Sequence, residues 1–168
     1  MADRDLFALS VNREANTACG AVFQMRDGKI VGRRHIYLTR IDETPEDELM
    51  QAVVERYYSE STFFPDEVLM SVDCSDPDLL TELLRERRGS KVTLHVPQRG
   101  DKAGLLGIVT KNADLMLTEH LIARQRQEEG RVPHAVEKLM KDLSLPRLPR
   151  RIECFDVSHL SGTDVVAS

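Results

Sequence analysis

The sequence has 168 residues, of which 41% are apolar and 30% charged, with a formal net charge of −5. These are the values of a globular chain long enough to bury a core, and they argue against a simple basic DNA-binding domain. No apolar run approaches the ~20 residues of a membrane span and no leader is visible, so no membrane contact and a cytoplasmic location are expected. Cys19, Cys74 and Cys154 are odd in number, far apart and set inside apolar runs. They read as buried free thiols of a reducing compartment, without metal-ligand spacing. Charge is unevenly spread: residues 1–97 hold 12 Lys/Arg and 18 Asp/Glu, residues 98–168 hold 11 and 10. Contact with phosphate is therefore expected of the second part, or else its charges are a solvated helix surface.

The first apolar run, Leu6–Val11, predicts a strand. Two β-rich segments, Thr17–Met25 and Lys29–Leu38, flank Arg26-Asp27-Gly28, and Asp-Gly between such runs is a strong hairpin signal. Thr44-Pro45-Glu46-Asp47 opens a helix to about Tyr58, with Thr44 as N-cap and Pro45 at the first helical position. Its core face is Leu49, Met50, Val53, Val54 and Tyr57. Glu67–Val72 predicts a buried strand, Ser75-Asp76-Pro77 a helix to Arg88 stopped by Gly89, and Val92–Val96 a strand. Pro97 to Lys102 forms a turn and cap. A long helix follows from Lys102 to about Glu129, with Leu105, Val109, Ala113, Met116, Leu117, His120 and Leu121 as its apolar stripe. Gly130 ends it. Pro133 starts a shorter helix to Leu143, and Ser144 to Pro149 is a stiff proline-containing linker.

The last eighteen residues are the most informative. Ile152–Val157 predicts a buried strand carrying Asp156 near its end, followed by a polar turn and a second β-rich run, Thr163–Ala167. There is a faint echo of this pattern at the start of the chain: Leu6–Val11 matches Ile152–Val157, Thr17 falls on Thr163, Ala21 on Ala167, and Ser10 occupies the place of Asp156. The expected fold class is α/β, a mixed sheet with flanking helices over residues 1–97. A helical connector and linker would fill 98–150, and the first strands of a second such domain 151–168.

The run Arg151-Ile-Glu-Cys-Phe-Asp-Val-Ser-His159, with Gly162 and Val166-Ala167-Ser168, resembles the UvrC family, a subunit of the bacterial excinuclease. Pro97 to Lys102 and Lys111-Asn112-Ala113 carry the resemblance further back, and residues 3–96 look like the more variable middle of the same subunit. The resemblance implies an RNase H-like nuclease that cuts damaged double-stranded DNA on the 5′ side of a lesion in nucleotide excision repair. It implies a divalent cation, Mg²⁺ or Mn²⁺, held by two Asp and a His. Only the first Asp maps here, onto Asp156, as catalytic residue and metal ligand. The second Asp and the His are expected beyond Ser168. The resemblance also implies an amino-terminal nuclease domain for the 3′ incision, a helical segment that docks on the UvrB subunit and a carboxy-terminal helix-hairpin-helix pair that grips DNA, all expected to be absent from this chain. The first domain is then a degenerate copy with Ser10 in the carboxylate's place.

Alone, this chain is expected to hold no metal and to cut no DNA. Asp164 is expected to be exposed at a strand start, His159 to lie in the hairpin turn, and Glu153 to point away from the Asp156 face. Arg99, Lys102 and Lys111 are candidate phosphate contacts near a glycine-containing helix start, with plain capping as the alternative. His35, His95 and His120 are expected to be packing residues. A non-catalytic scaffold or protein-interaction module is the competing reading of the whole.

Overall fold

The computed structural model describes residues 2–130, 134–149, 151–152, 157–160 and 164–167, with the backbone alone for 128–130, 157–160 and 164–167. The elements in chain order are β1 (Arg4–Asn12), β2 (Thr17–Arg26), β3 (Lys29–Thr39), α1 (Glu46–Ser59), β4 (Glu67–Met70), α2 (Pro77–Arg88), β5 (Thr93–His95), α3 (Gly100–Gly130), α4 (His134–Asp142), β6 (Val157–Leu160) and β7 (Asp164–Ala167). Five strands form one sheet in the order β3-β2-β1-β4-β5. The pairs β1–β2 and β2–β3 are antiparallel, whereas β1–β4 and β4–β5 are parallel. This is the mixed RNase H-like sheet expected from the sequence, with the Leu6–Val11 strand at its centre.

Local chemistry explains most boundaries. Asp27 (φ 46°) and Gly28 (φ 76°) both adopt positive φ, as a two-residue turn of the primed type requires. Asp76 caps α2 by accepting a hydrogen bond from the Leu79 amide at 3.0 Å, Pro77 occupies the first turn, and Gly89 ends the helix in the left-handed region. The start of α1 differs from expectation. Pro45, not Thr44, is the capping residue, and no side chain caps the helix there. The Thr44 amide donates to the Ile41 carbonyl in the turn before the helix, and Glu46, Asp47 and Glu48 stabilise the first turn through the helix dipole.

The sheet buries both faces. One packs against α1 and α2 through Phe7, Leu9, Ala18, Val22, Val68 and Met70, which meet Met50, Val53, Val54, Tyr57, Tyr58 and Leu80. The opposite face, Leu6, Ala8, Ala21, Phe23 and Leu69, is covered by Leu106, Val109 and Ala113 of α3. Leu106 joins the buried side of α3 and Leu117 continues it, while Met116, His120 and Leu121 are half-buried. The compact unit built this way runs from Met1 to Arg124, so it takes in most of the long helix.

Gly20 of β2 is required by the approach of α1. A Cβ there would stand 2.4 Å from Val53 Cγ1 and 2.7 Å from Cγ2. Gly20→Ala should therefore destabilise the chain by about 1–3 kcal/mol through overpacking. Urea unfolding measures the loss, and adding Val53→Ala should recover part of it; a variant with unchanged midpoint would mean that α1 yields without cost.

The second unit spans Gln125–Ser168. It contains α4, where none of the residues is buried. In the hairpin β6–β7, Val157 pairs with Ala167 and Leu160 with Asp164. Ile152 carries no regular structure, Val157 is in β6 as expected, and β6 runs on to Leu160, so His159 sits in a strand instead of a turn. Asp164 begins β7 as expected. Asp156, Glu153 and Cys154 lie outside the described residues. The internal echo does not extend to the pairing register. At the offset relating Ser10 to Asp156, Val157 falls on Val11 and Ala167 on Ala21, yet Val11 pairs with Ala18 and Ala21 with Ala8.

Candidate active site and nucleic-acid interface

Ser10 lies on the central strand and is half-buried. Alternation puts it on the α3 side with Leu6 and Ala8. Its partner across the strand pair is Cys19, and Cys19 in turn pairs with Tyr37 of β3. Burial pushes the Cys19 thiol up to about 11, with the nearby Asp114 carboxylate adding to the rise. Burial and the neighbouring Cys19 raise the Tyr37 phenol as well. A hydroxyl, a protonated thiol and a protonated phenol do not form the hard oxygen set that a divalent cation takes. The first sheet does not fit the metal implied by the resemblance. Among the described residues, no three His, Cys, Asp or Glu side chains come together as a metal site.

Two other carboxylates are built into this unit, and sequence reasoning passed over both. Asp5 is fully buried on the α1 side of β1, opposite to Ser10. Tyr58 Oη donates to its Oδ2 at 2.9 Å, and Arg26 Nη1 stands 2.7 Å from Oδ1. That guanidinium nitrogen is also aimed at the carbonyls of Arg4 and Met25, so Oδ1 takes part in an ion pair without an aligned hydrogen bond among the described residues. Burial raises the Asp5 pKa despite Arg26 and Tyr58. The folded chain thus holds this proton more tightly than the unfolded chain. The stability it contributes is complete below pH ~3.8 and is lost as pH rises through the folded-state value. Asp5→Asn should accordingly gain melting temperature relative to the parent as pH is raised from 4 to 7. A difference that stays constant over that range would show that Asp5 is not the group responsible.

Glu67, at the start of β4, is the second. Arg4 Nε donates to its Oε2 at 2.6 Å, Lys102 Nζ bonds its Oε1, and His95 Nε2 lies 3.7 Å away. Burial would raise the Glu67 pKa, but the bonds from Lys102 and Arg4 outweigh it and hold the carboxyl below its usual range. The cluster joins β1, β4, β5 and the first turn of α3. Its signal in sequence was weak, because the four residues are spread over nearly a hundred positions.

The three candidate phosphate contacts do not form one patch. Arg99 is exposed just before α3, and Lys111 is exposed on α3. Lys102 is engaged by Glu67. Lys111 follows Lys102 by nine helical positions, which turns them about 180° apart around the axis. Of the three histidines expected to pack, His35 and His120 do so. His35 Nε2 lies 2.8 Å from Asn112 Oδ1, and the His120 ring stacks on Tyr37 at 4.1 Å. His95 belongs to the Glu67 cluster. Cys19 and Cys74 are buried free thiols as expected, and burial also lifts Cys74 to about 11.

Comparison with known proteins places these features. Residues 3–120 match the model of the UvrC ribonuclease H-like domain. The chain belongs to the UvrC family. Residues 140–168 match a second model, the UvrC RNase H endonuclease domain, which covers the β6–β7 hairpin and the Asp156 motif. UvrABC system protein C of Salinibacter ruber is 42% identical over 99% of this chain and 27% of its own length. The protein of the same name from Symbiobacterium thermophilum is 41% identical over 98% of this chain and 26% of its own. The chain thus spans about a quarter of the length of the curated UvrC relatives it matches. In the structure of the PCNA:RNase HII complex from Archaeoglobus fulgidus, one chain is similar at a TM-score of 0.46 and 15% identity, covering 88% of this chain and 91% of that chain. No described helix is long and apolar enough to cross a membrane.

Proposed function

We propose that this chain is the central part of an excinuclease subunit that incises damaged double-stranded DNA on the 5′ side of a lesion, in nucleotide excision repair. The observation that carries the proposal is the pair of consecutive UvrC domain matches, 3–120 and 140–168, on one short chain. In this reading Asp156 belongs to the nuclease site of the second domain, whose other ligands lie beyond Ser168. The first unit is an RNase H-like domain that does no cutting, since no group of three metal-ligating side chains comes together among its described residues. It holds and orients the active copy through α3, and UvrB is the partner that brings the subunit to the lesion.

When bound, Mg²⁺ or Mn²⁺ would supply Lewis-acid activation of water and stabilisation of the leaving oxygen. Asp156 would offer it one hard oxygen ligand. Arg99 and Lys111, both exposed, are proposed to contact phosphate. Lys102 has its charge taken by Glu67 and acts as a tether.

A lesion-bearing duplex incubated with the full-length parent tests the reading. Metal-dependent release of a 5′-side cut that Asp156→Ala abolishes supports it, and a 5′-side cut insensitive to that replacement overturns it. The 168-residue chain by itself should leave supercoiled plasmid intact in Mg²⁺ or Mn²⁺. Nicking by the purified chain that disappears with Asp156→Ala would show that its site is complete after all.

A non-catalytic scaffold is the second reading, favoured by the neutral groups around Ser10. It predicts that the full-length parent makes no 5′ cut at all.

A further inference from the structure

The basic residues of the first unit are segregated. Between Gly28 and Ile41 there are four, Lys29, Arg33, Arg34 and Arg40, and no acid. The rest of residues 1–97 holds eight basic and eighteen acidic residues. All four cations fall on β3 or the residue after it, and β3 is an outer strand of the sheet, paired only with β2. All four are exposed. Arg33 rests on the Phe23 ring, 4.9 Å from its centroid, which steadies the guanidinium without neutralising it. Arg34 lies 3.7 Å from the exposed Glu60, a pair too loose and too wet to cancel much charge. Lys29, Arg33 and Arg40 make no ion pair with any described residue.

We propose that the outer edge of β3, through Lys29, Arg33 and Arg40, is a track for the phosphates of duplex DNA. The inference rests on the excinuclease reading for its choice of polyanion and goes beyond it in naming the surface. Length agrees. Eleven residues of strand extend about 36 Å at ~3.3 Å each, close to one ~34 Å turn of the duplex. Chemistry agrees also. Cations on a pleated edge alternate between its two sides, and the amides unpaired along an edge can donate to phosphate as well. Charge at an edge also discourages strand-to-strand aggregation, but either sign would serve that purpose. A single sign here, in a unit otherwise strongly acidic, points to an anionic partner. Lys111 immediately precedes the Asn112 that His35 holds, so α3 adds one more cation alongside the strand.

The test compares two triple variants of the whole chain that change net charge equally. One is Lys29→Gln/Arg33→Gln/Arg40→Gln on the edge. The other is Arg85→Gln/Arg87→Gln/Lys91→Gln around the end of α2. Binding of an undamaged fluorescent duplex is measured by anisotropy from 20 to 200 mM salt, with melting curves to confirm folding. Each phosphate contact contributes about 0.9 to the slope of log affinity against log salt. The edge variant should therefore lose ~2.7 from the slope and about tenfold or more in affinity at the lowest salt, while the α2 variant keeps the parent's slope. Equal losses in both variants, no loss in either, or no binding by the parent chain at 20 mM salt overturn the proposal. So does an edge that holds polyglutamate and does not release it to duplex, which would mark an acidic protein partner. The Asp156→Ala incision assay does not involve β3, so failure of the edge and failure of the excinuclease reading give different results.

Discussion

In the full-length parent, Asp156→Ala is expected to slow the 5′ cut by about a hundredfold to a thousandfold or more and to leave the 3′ cut within about twofold. The size follows from removing a hard anionic ligand from a site whose work is to concentrate positive charge on a phosphodiester, where loss of one well-placed group costs ~10²–10³ or more. Asp156→Asn should be nearly as damaging, since an amide oxygen keeps the shape but loses the charge a divalent cation seeks. The sparing of the 3′ cut follows from a separate site for that incision, which the family resemblance implies. Ser10→Asp should restore nothing. A carboxylate placed there would face a protonated Cys19 and Tyr37, in a region where no group of three metal-ligating side chains comes together among the described residues. Incision on both sides of the lesion is read on one end-labelled duplex. Loss of both cuts in a folded Asp156→Ala protein would count against assigning Asp156 to one site, and gain of a cut by Ser10→Asp would count against the reading of the first sheet.

Periodicity and turn chemistry made most of the first unit legible. Asp27-Gly28 marked the β2–β3 hairpin, Asp76-Pro77 and Gly89 bounded α2, and the α1 face differed from the observed core only by Tyr58. Local signals failed where the deciding contact was distant. Thr44 has the chemistry of a cap, but the helix starts one residue later than it required, with Pro45 as the capping residue. Asp5 precedes the apolar run Leu6–Val11 and was passed over, yet it is buried and bonded to Tyr58, fifty-three residues away. Lys102 looked free for phosphate until β4 supplied Glu67. Counting charge by halves also hid the run of cations on β3. It averaged the cations of β3 with the acids of α1 and α2, and only the strand order separates them by putting β3 at an edge. In the second unit, the family motif disclosed Asp156, which no periodicity could have distinguished from a turn-capping Asp. The pairing of β6 with β7 was predicted, but β6 runs through His159, which the sequence had suggested for the turn.

Phe7→Ala should be the most destabilising single truncation of the first sheet, at about 3–5 kcal/mol. Phe7 is fully buried at the centre of β1. Its ring meets Tyr57 edge-on with centroids 5.3 Å apart and Tyr58 at 5.7 Å, and Tyr58 continues the contact to Phe64 at 5.5 Å. Truncation removes the central member of this group and leaves a void that the neighbouring strands, paired on both sides of β1, cannot close. Phe7→Leu refills much of the volume and should cost less than half as much. Urea unfolding of the chain gives both values, and a loss below ~1.5 kcal/mol for Phe7→Ala would mean that α1 collapses into the space. The same variant bears on function. If the first unit orients the nuclease copy, incision by a full-length Phe7→Ala parent should fail at the temperature where this unit melts, well below that of the unaltered protein. Incision that persists above that temperature would show that the first sheet is dispensable for cutting.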